Sequence, residues 1–365
     1  MVGAVLVKRG LVIGRGWHRR AGGPHAEIEA LQDAQKRGQN PRGATVYVTL
    51  EPCCTHGRTP PCTKAIIAAG IKRVVVGTTD PNPKHAGKGF RILGRAGIAV
   101  TCLADQRDLA RLKVSRDCAH LNETFNHWIV AGTPFVTVKA AMTLDGKIAT
   151  AAGESKWITG VEARAHGMHL RHGHDAILVG VNTVLADNPS LIARDRKPAG
   201  DGPAPARRRI ILDSLARTPL AARIMSDQQL APTTIVVSRR APVRRVAALA
   251  KKVRVIQAPE AAGKLDLRWL LKQLGAENVT SLLVEGGGEV NASFLLGDLA
   301  QRVAFFYAPK ILGGRNSRKA VAGQGAMSLH EVLTLREVAW RRLGADLFLT
   351  ARVDESPLDA QQAAV

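Results

Sequence analysis

The stretch TVYVTLEPCCTHGRTPPC, residues 45–62, passes from strand to loop to helix start. Thr45 to Leu50 is β-branched and reads as a strand. Cys53 falls where that strand ends, and Cys62 begins the next helix. Just upstream, AGGPHAEIEALQDAQKR, residues 21–37, places His25 and Glu27 at the start of a helix. His25 to Arg37 has helical spacing, with Ile28 and Leu31 on one face. Working outward, Val2 to Val7 reads as a strand, Lys8-Arg9-Gly10 as a turn and Leu11 to Gly14 as the return. Gly38 to Gly43 is a loop, and Lys64 to Ala69 a short helix closed by Gly70. Arg73 to Val76 and Ile98 to Cys102 read as strands, and Gly89 to Arg95 as a helix. Asp105 to His127 reads as one long polar helix. Strands and helices alternating in this way predict an α/β unit with a mostly buried sheet.

One His and two Cys can hold a tetrahedral Zn²⁺ by three protein ligands, His25, Cys53 and Cys62. A fourth position stays open for water, the catalytic rather than the structural arrangement. A Glu two residues after the His is the usual proton carrier of zinc-dependent base deaminases and is not itself a ligand. Glu27 is therefore expected to take a proton from metal-activated water and deliver it to a departing amine. A lone HxE is common by chance, and a Cys pair can simply pack. HAE, then PC, then a later Cys, on helix and strand ends, make chance a poor explanation. Cys54 has no such role and reads as filler beside the metal shell. The long Cys53–Cys62 spacing puts His56 and Arg58 on a loop near the metal, where an Arg suits a phosphate or a polar ring.

Composition narrows the partners. At 365 residues, two domains is the prior. Five cysteines, an odd number, and no signal peptide point to the cytoplasm, with thiols reduced. No apolar run approaches the length of a membrane span. The formal net charge of +22 admits nucleic acid or anionic metabolites. The charge is scattered, as in Arg207-Arg208-Arg209 and Arg239-Arg240, and aromatics are only 4%, which disfavours a base-stacking groove. A basic surface suited to phosphorylated ligands is expected.

Near residues 128–132 the first unit ends, and Pro134 stops the preceding helix. PFVTVKAAM opens a second unit as a strand, and HDAILVG, RRIILDS, TTIVVS, KVRVIQ and VTSLLVEGGG follow. Residues Asp195 to Pro205 read as a surface loop. Glu285-Gly286-Gly287-Gly288 ends a strand and opens a helix, a turn that lets backbone approach a pyrophosphate. It is not GxGxxG, so a standard dinucleotide fold is not indicated.

Gly16-Trp17-His18, Ala21-Gly22-Gly23-Pro24-His25-Ala26-Glu27 and the Glu51-to-Cys62 run together resemble the bifunctional riboflavin-biosynthesis deaminase–reductases. Four later motifs resemble the same family in its order. They are Lys139-Ala140-Ala141-Met142-Thr143-Leu144-Asp145-Gly146-Lys147, Gly153-Glu154-Ser155-Lys156-Trp157-Ile158-Thr159, Gly180 to Pro189 and Val284 to Gly288. The resemblance implies a cytidine-deaminase-like three-layer α/β/α domain over residues 1–128. A dihydrofolate-reductase-like α/β domain using NADPH would follow over residues 133–365. Carried over by position, Ala141, Trp157, Thr183, Asp187, Ser214 and the turn Gly287, Gly288, Glu289, Val290, Asn291, Ala292 and Ser293 would meet NADPH. Ser155, Arg171, Leu191, Arg194 and Glu285 would meet the substrate, with Arg171 and Arg194 as clamps on a ribose phosphate. His18, Arg58, Asp80 and Asn82 would line the deaminase pocket. Glu285 and Lys139 are the candidates for a proton donor in reduction.

The implied function is deamination of 2,5-diamino-6-ribosylamino-4(3H)-pyrimidinone 5′-phosphate, followed by reduction of its ribosyl group. The implied partners are small phosphorylated pyrimidines, without nucleic acid or membrane, and a homo-oligomer is compatible with them. The rival is a tRNA-type base deaminase with a basic second domain. A third reading is a non-enzymatic zinc module, with His56 the only nearby candidate for a fourth ligand. Two departures stand out. Thr55 replaces a residue that is often His, and Met1-Val2-Gly3-Ala4-Val5 enters late in the family's T-x-P-N-P-x-V-G-x-V run. The family's first helix and its Asn are absent, so Met1 is expected to be an internal Met. If the sequence as given were the whole protein, deamination should be weakened and reduction retained.

Overall fold

Strands β1 (Gly3–Lys8) and β2 (Leu11–Trp17) form an antiparallel hairpin in the computed structural model, which describes residues 1–20, 22–57, 59–192, 207–226 and 232–354. Its turn residues, Arg9 and Gly10, both have positive φ, 51° and 79°. A tight hairpin demands that geometry, and glycine supplies it at no steric cost. There follow α1 (Ala26–Lys36), β3 (Thr45–Leu50), α2 (Cys62–Ala68), β4 (Arg73–Thr78), α3 (Lys88–Arg95) and β5 (Ala99–Cys102). The sheet order is β2-β1-β3-β4-β5. β1 is antiparallel to both β2 and β3, and β3, β4 and β5 are parallel. It follows that β2, β3 and β4 all end on one edge of the sheet.

The helix carrying His25 and Glu27 is seated there by small residues. A Cβ on Gly16 would lie 2.3 Å from the Ala26 carbonyl oxygen, and one on Gly14 2.3 Å from that of Ala30. Glycine on the strand and Ala26, Ala30 and Ala34 on the helix let the two backbones nearly touch. Ile66 of α2 and Leu93 of α3 join the same buried cluster as Val46, Val48, Val74 and Val76. The opposite face is covered by α4 (Leu109–Leu121), whose Cys118 Sγ occupies the space that a Cβ on Gly77 would need. Helices on both faces give three layers. The single helix expected over Asp105–His127 is two. Asp108 caps α4 by accepting the Arg111 N–H at 2.9 Å, and α4 ends at buried Asn122, whose φ of −113° leaves the helical region. α5 (Glu123–Ala131) then begins.

The first compact unit is Met1–Ala131 and the second begins at Gly132. The second contains β6 (Phe135–Thr143), β7 (Lys147–Ala149), α6 (Val161–His172), β8 (Ala176–Gly180) and α7 (Val181–Asp187). Next come β9 (Arg208–Leu212), α8 (Arg223–Ser226), β10 (Thr233–Val237), α9 (Val243–Ala250) and β11 (Arg254–Gln257). A small hairpin, β12 (Glu260–Ala261) and β13 (Lys264–Leu265), precedes α10 (Leu267–Ala276), β14 (Ser281–Val284) and α11 (Gly288–Leu295). The last strands among the described residues are β15 (Arg302–Ala308), β16 (Arg318–Lys319), β17 (Leu335–Leu343) and β18 (Asp346–Val353).

Among the described residues the large sheet has the order β11-β10-β9-β8-β14-β6-β15-β18-β17. From β11 to β15 every pairing is parallel, and β18 and β17 add an antiparallel end. Every residue of β8 and β14 is buried, as strands covered on both faces require. α10 and α11 pack on one face through Leu270, Leu274 and Phe294, and α7 and α9 on the other through Val184 and Leu249. The carboxyl ends of β6, β8, β9 and β14 share one edge, where open α/β sheets bind ligands. The antiparallel end was not anticipated from the sequence. β17, LREVAWRRL, buries none of its residues and mixes charged pairs with a short apolar run, so no buried-strand signal marks it.

Candidate functional site

Three elements bring ligand atoms to the common edge of the first sheet. His25 is the residue just before α1, Cys53 follows β3, and Cys62 is the first residue of α2. Their ligand atoms lie within 4.8 Å of one another, and among the described residues no other His, Cys, Asp or Glu joins the group. His56 is not part of it; its Nδ1 lies 3.2 Å from the Gly57 carbonyl oxygen. His25 Nδ1 stands 3.4 Å from Cys53 Sγ and 3.3 Å from Cys62 Sγ. Its Nε2 is 3.2 Å from Thr59 Oγ1, which fixes the ring so that Nδ1 faces the sulfurs. Thr59 was not foreseen, because a Thr in a loop carries no signal of its own.

The hydrogen bond from Cys62 holds the Cys53 thiol down at about 4, with His25 and the Cys62 backbone N–H assisting. The same contact, with burial, pushes the Cys62 thiol up. The two thiols are thus driven in opposite directions, and a divalent cation, which needs both as thiolates, would release protons on binding. Glu27 is 4% exposed. Burial pushes its carboxyl up to about 7, with Cys53 nearby adding to the rise.

His18 reaches the group: its ring meets His25 edge-on at 5.2 Å, and Pro24's carbonyl lies 3.0 Å from its Nδ1. Asp80 and Asn82 lie beyond β4 in a loop that folds on itself. Asp80 Oδ1 accepts the Asn82 N–H at 2.9 Å, and Asn82 Oδ1 accepts the Lys84 N–H at 3.0 Å. Burial raises the Asp80 carboxyl, and the charges of Glu51 and Cys53 raise it further, which places Asp80 in the field of the sulfurs. Thr55 Oγ1 is 3.4 Å from His85 Nδ1. Arg58 falls outside the described residues.

In the second unit a cavity of about 710 Å³ opens at the carboxyl edge of the sheet. Thr183, Ser214, Gly287, Gly288, Glu289, Val290 and Ser293 line it. Asn291 and Ala292 do not. They are buried on the inner face of α11, where Asn291 Nδ2 donates to the Ala320 carbonyl at 2.8 Å. The three glycines differ in purpose. A Cβ on Gly286 would strike Val290, and one on Gly288 the Lys319 carbonyl oxygen at 2.3 Å, while Gly287 faces open space. The turn leads into α11 with no side-chain cap. Its orphan N–H groups fit a phosphate-bearing cofactor.

An adjoining cleft of two lobes, about 500 and 330 Å³, meets this cavity at Ile148, Asn182, Thr183, Gly287 and Arg318. Ala141, Trp157, Asp187, Arg171, Leu191 and Glu285 line both lobes, and Ser155 the smaller one. Ser155 Oγ donates to Asp187 Oδ1 at 3.0 Å, and Lys156 Nζ lies 3.5 Å from the same oxygen. Leu191 is buried at a left-handed φ of 56°, turning the wall back toward the cleft. Arg171 lines the cleft with one edge of its guanidinium engaged by Glu285, Nε to Oε1 at 2.6 Å and Nη2 to Oε2 at 2.8 Å. Lys139 Nζ stands 3.7 Å from Glu285 Oε2. Burial would raise the Glu285 carboxyl, but Arg171 and Lys139 outweigh it and bring it to about 2. Arg194, the other expected clamp, and residues 195–205 lie outside the described residues. Arg164, unforeseen, stacks its guanidinium 4.7 Å from the Trp157 ring centroid and also lines the cleft.

Comparison with known proteins agrees with both halves. Residues 134–349 match the family model of the RibD C-terminal domain, and residues 1–78 that of the cytidine and deoxycytidylate deaminase zinc-binding region. The chain is 42% identical over 355 residues to the riboflavin biosynthesis protein RibD of Aquifex aeolicus, covering 95% of this chain and 90% of that protein. It is 38% identical to the Escherichia coli protein of the same name, covering 95% and 92%. Among solved structures, RibD of Acinetobacter baumannii superposes with a TM-score of 0.82 at 34% identity, covering 97% of this chain and 92% of that one. A diaminohydroxyphosphoribosylaminopyrimidine deaminase/5-amino-6-(5-phosphoribosylamino)uracil reductase from Thermotoga maritima gives 0.78 at 35% identity, with the same coverage.

Proposed function

This chain belongs to the RibD family, and on that premise we propose how its residues divide the work. It is a bifunctional enzyme of riboflavin biosynthesis, joining a cytidine-deaminase-like unit to a RibD reductase unit. The nucleic-acid reading is not favoured, because relatives and family models cover both halves. Among the described residues no helix is long and apolar enough to cross a membrane.

The first unit deaminates 2,5-diamino-6-ribosylamino-4(3H)-pyrimidinone 5′-phosphate. His25, Cys53 and Cys62 would hold Zn²⁺, which when bound lowers the pKa of its water to near neutrality. Glu27, whose carboxyl burial pushes up, can accept a proton from water and release it to the ring amine as ammonia leaves. Asp80, Asn82 and His18 form the wall that orients the pyrimidine. The second unit reduces the ribosyl group of the product to the ribityl chain. NADPH, which Thr183, Ser214, Gly287, Gly288, Glu289, Val290 and Ser293 would hold, supplies the hydride when bound. Glu285 stays ionised at about 2, which removes it as a proton donor near neutral pH and leaves Lys139 for that role. Glu285 instead holds Arg171 and Lys139 toward the cleft.

The observation that carries this reading is the His25–Cys53–Cys62 group with Glu27 buried beside it. The test is a coupled assay of the intact chain, with and without NADPH, on Glu27→Gln. Loss of deamination with intact reduction of the deaminated intermediate is expected. Deamination that survives, or joint loss of both activities in a folded, metal-loaded protein, would refute the division of labour.

A further inference from the structure

Glu51 precedes the Pro52-Cys53 pair and is 5% exposed. Its backbone N–H donates to the Thr78 carbonyl, the last residue of β4, at 3.0 Å. Its carboxylate then reaches across into the loop beyond that strand. Oε2 accepts the N–H groups of Asp80 at 3.1 Å and Gly87 at 2.9 Å, and Oε1 accepts that of Gly89 at 2.8 Å. Two backbone donors of the loop and one from the first turn of α3 therefore end on one buried carboxylate, and charge-assisted bonds of this kind are the strong ones. The fit admits no side chain at position 89. A Cβ there would lie 2.5 Å from the Pro52 carbonyl oxygen and 3.0 Å from Glu51 Oε1.

We propose that Glu51 is a positioning residue for deamination, which locks the substrate wall Asp80–Asn82 to the strand end that carries Cys53. It touches neither metal nor substrate. Its function is to make the metal loop and the wall loop one rigid piece, so that the ring is offered to the metal-bound water in one orientation. Only a carboxylate can do this, because both of its ends accept. A glutamine of the same shape would turn an NH₂ group toward an N–H donor and leave a buried donor without an acceptor. This inference rests on the reading of Asp80 and Asn82 as the pocket wall.

The test uses the full chain loaded with zinc, with Glu51→Gln and Asn82→Ala measured in parallel on the diaminopyrimidine phosphate. For Glu51→Gln we expect the deamination KM to rise about tenfold or more, since small misplacements near a reacting centre cost up to about a hundredfold. Zinc content and the reductase half-reaction should stay unchanged. Tryptic cleavage after Lys84 or Lys88 should accelerate, because the loop has lost its tether. An unchanged KM for Glu51→Gln with a raised KM for Asn82→Ala overturns the proposal and leaves the wall standing. Unchanged KM in both overturns the wall itself. Loss of zinc in proportion to activity also overturns the proposal, placing Glu51 with the metal loop alone. If Glu51→Gln does not fold, Gly89→Ala tests the same contact from the loop side, and an unaltered KM there is equally fatal.

Discussion

Glu27 and Glu285 are the same side chain at equivalent places, each buried at the edge of a sheet and lining the site of its unit, yet their protons behave oppositely. Burial alone raises a carboxyl, and at Glu27, where Cys53 adds to the rise and His25 only partly offsets it, the metal-free carboxyl is pushed up to about 7. Glu285, whose side chain is 8% exposed, is nearly as sheltered, but Arg171 and Lys139 turn the sign and bring it to about 2. The difference teaches which glutamate exchanges a proton near neutrality and which serves as a fixed charge. Burial marks both as special; only the neighbours say in what way.

The largest effect should come from removing the proton that Glu27 carries. Glu27→Gln keeps the shape and should lower kcat for deamination by about 10³-fold, within the range for a positioned acid–base group. Metal content should be unchanged by elemental analysis, and the reductase rate should stay at the wild-type value. A deamination rate within tenfold of wild type would erase the contrast between the two glutamates.

Glu285→Gln should act through stability as well as rate. It leaves Arg171 and Lys139 without their counter-charge, at a cost of about 3 kcal/mol, the lower end for a broken buried pair because Arg171 keeps 21% of its side-chain surface exposed. The sign with pH follows from the depressed carboxyl. Its stabilisation is complete above the ordinary value of 4.5 and is lost as pH falls through that value toward about 2. The melting difference between wild type and Glu285→Gln should therefore be widest at neutral pH and shrink steadily as pH falls from 4.5 toward about 2. A difference at pH 3 as wide as at pH 7 would show that charge is not what Glu285 contributes.

The sequence made the metal group legible because its chemistry needs fixed residue types. Cys53 and Cys62 could be assigned from their places at a strand end and a helix start. The roles of Glu51 and Arg171 were not legible, since each depends on which distant backbone or carboxylate the fold delivers: Gly89 to the one, Glu285 to the other. The inward turn of Asn291 and Ala292 follows from helical periodicity, but a motif written as one run hides it. The break at Asn122 escaped because a polar helix lacks the apolar stripe whose interruption would mark it. β17 escaped because an exposed edge strand need not show the buried pattern.

Glycines sharpen the comparison at smaller amplitude. Gly16→Ala drives a methyl into the Ala26 carbonyl and the Ala30 N–H, both 2.3 Å from it, so α1 must move and carry His25 and Glu27 with it. A loss of about 1–3 kcal/mol is expected, as for overpacked cores. Zinc should be given up to a chelator faster, while NADPH binding stays as it was. Wild-type stability with wild-type zinc retention would mean that the strand does not set the helix.

Gly287 is the opposite case, and it makes the weakest but cleanest test. Nothing lies within 4 Å of a Cβ there, and its φ of −73° and ψ of 175° are open to any residue. Alanine should therefore leave folding unharmed, or improve it by up to about 1 kcal/mol through the unfolded chain. The methyl projects into the space assigned to the cofactor, so NADPH should bind about tenfold more weakly, some 1.4 kcal/mol. Titration of NADPH by fluorescence reads the affinity directly, and a melting curve without nucleotide reads the fold. An unstable Gly287→Ala would mean that the turn is built for packing like Gly16. Unchanged affinity in a stable protein would move the cofactor out of the cavity that Gly287 faces.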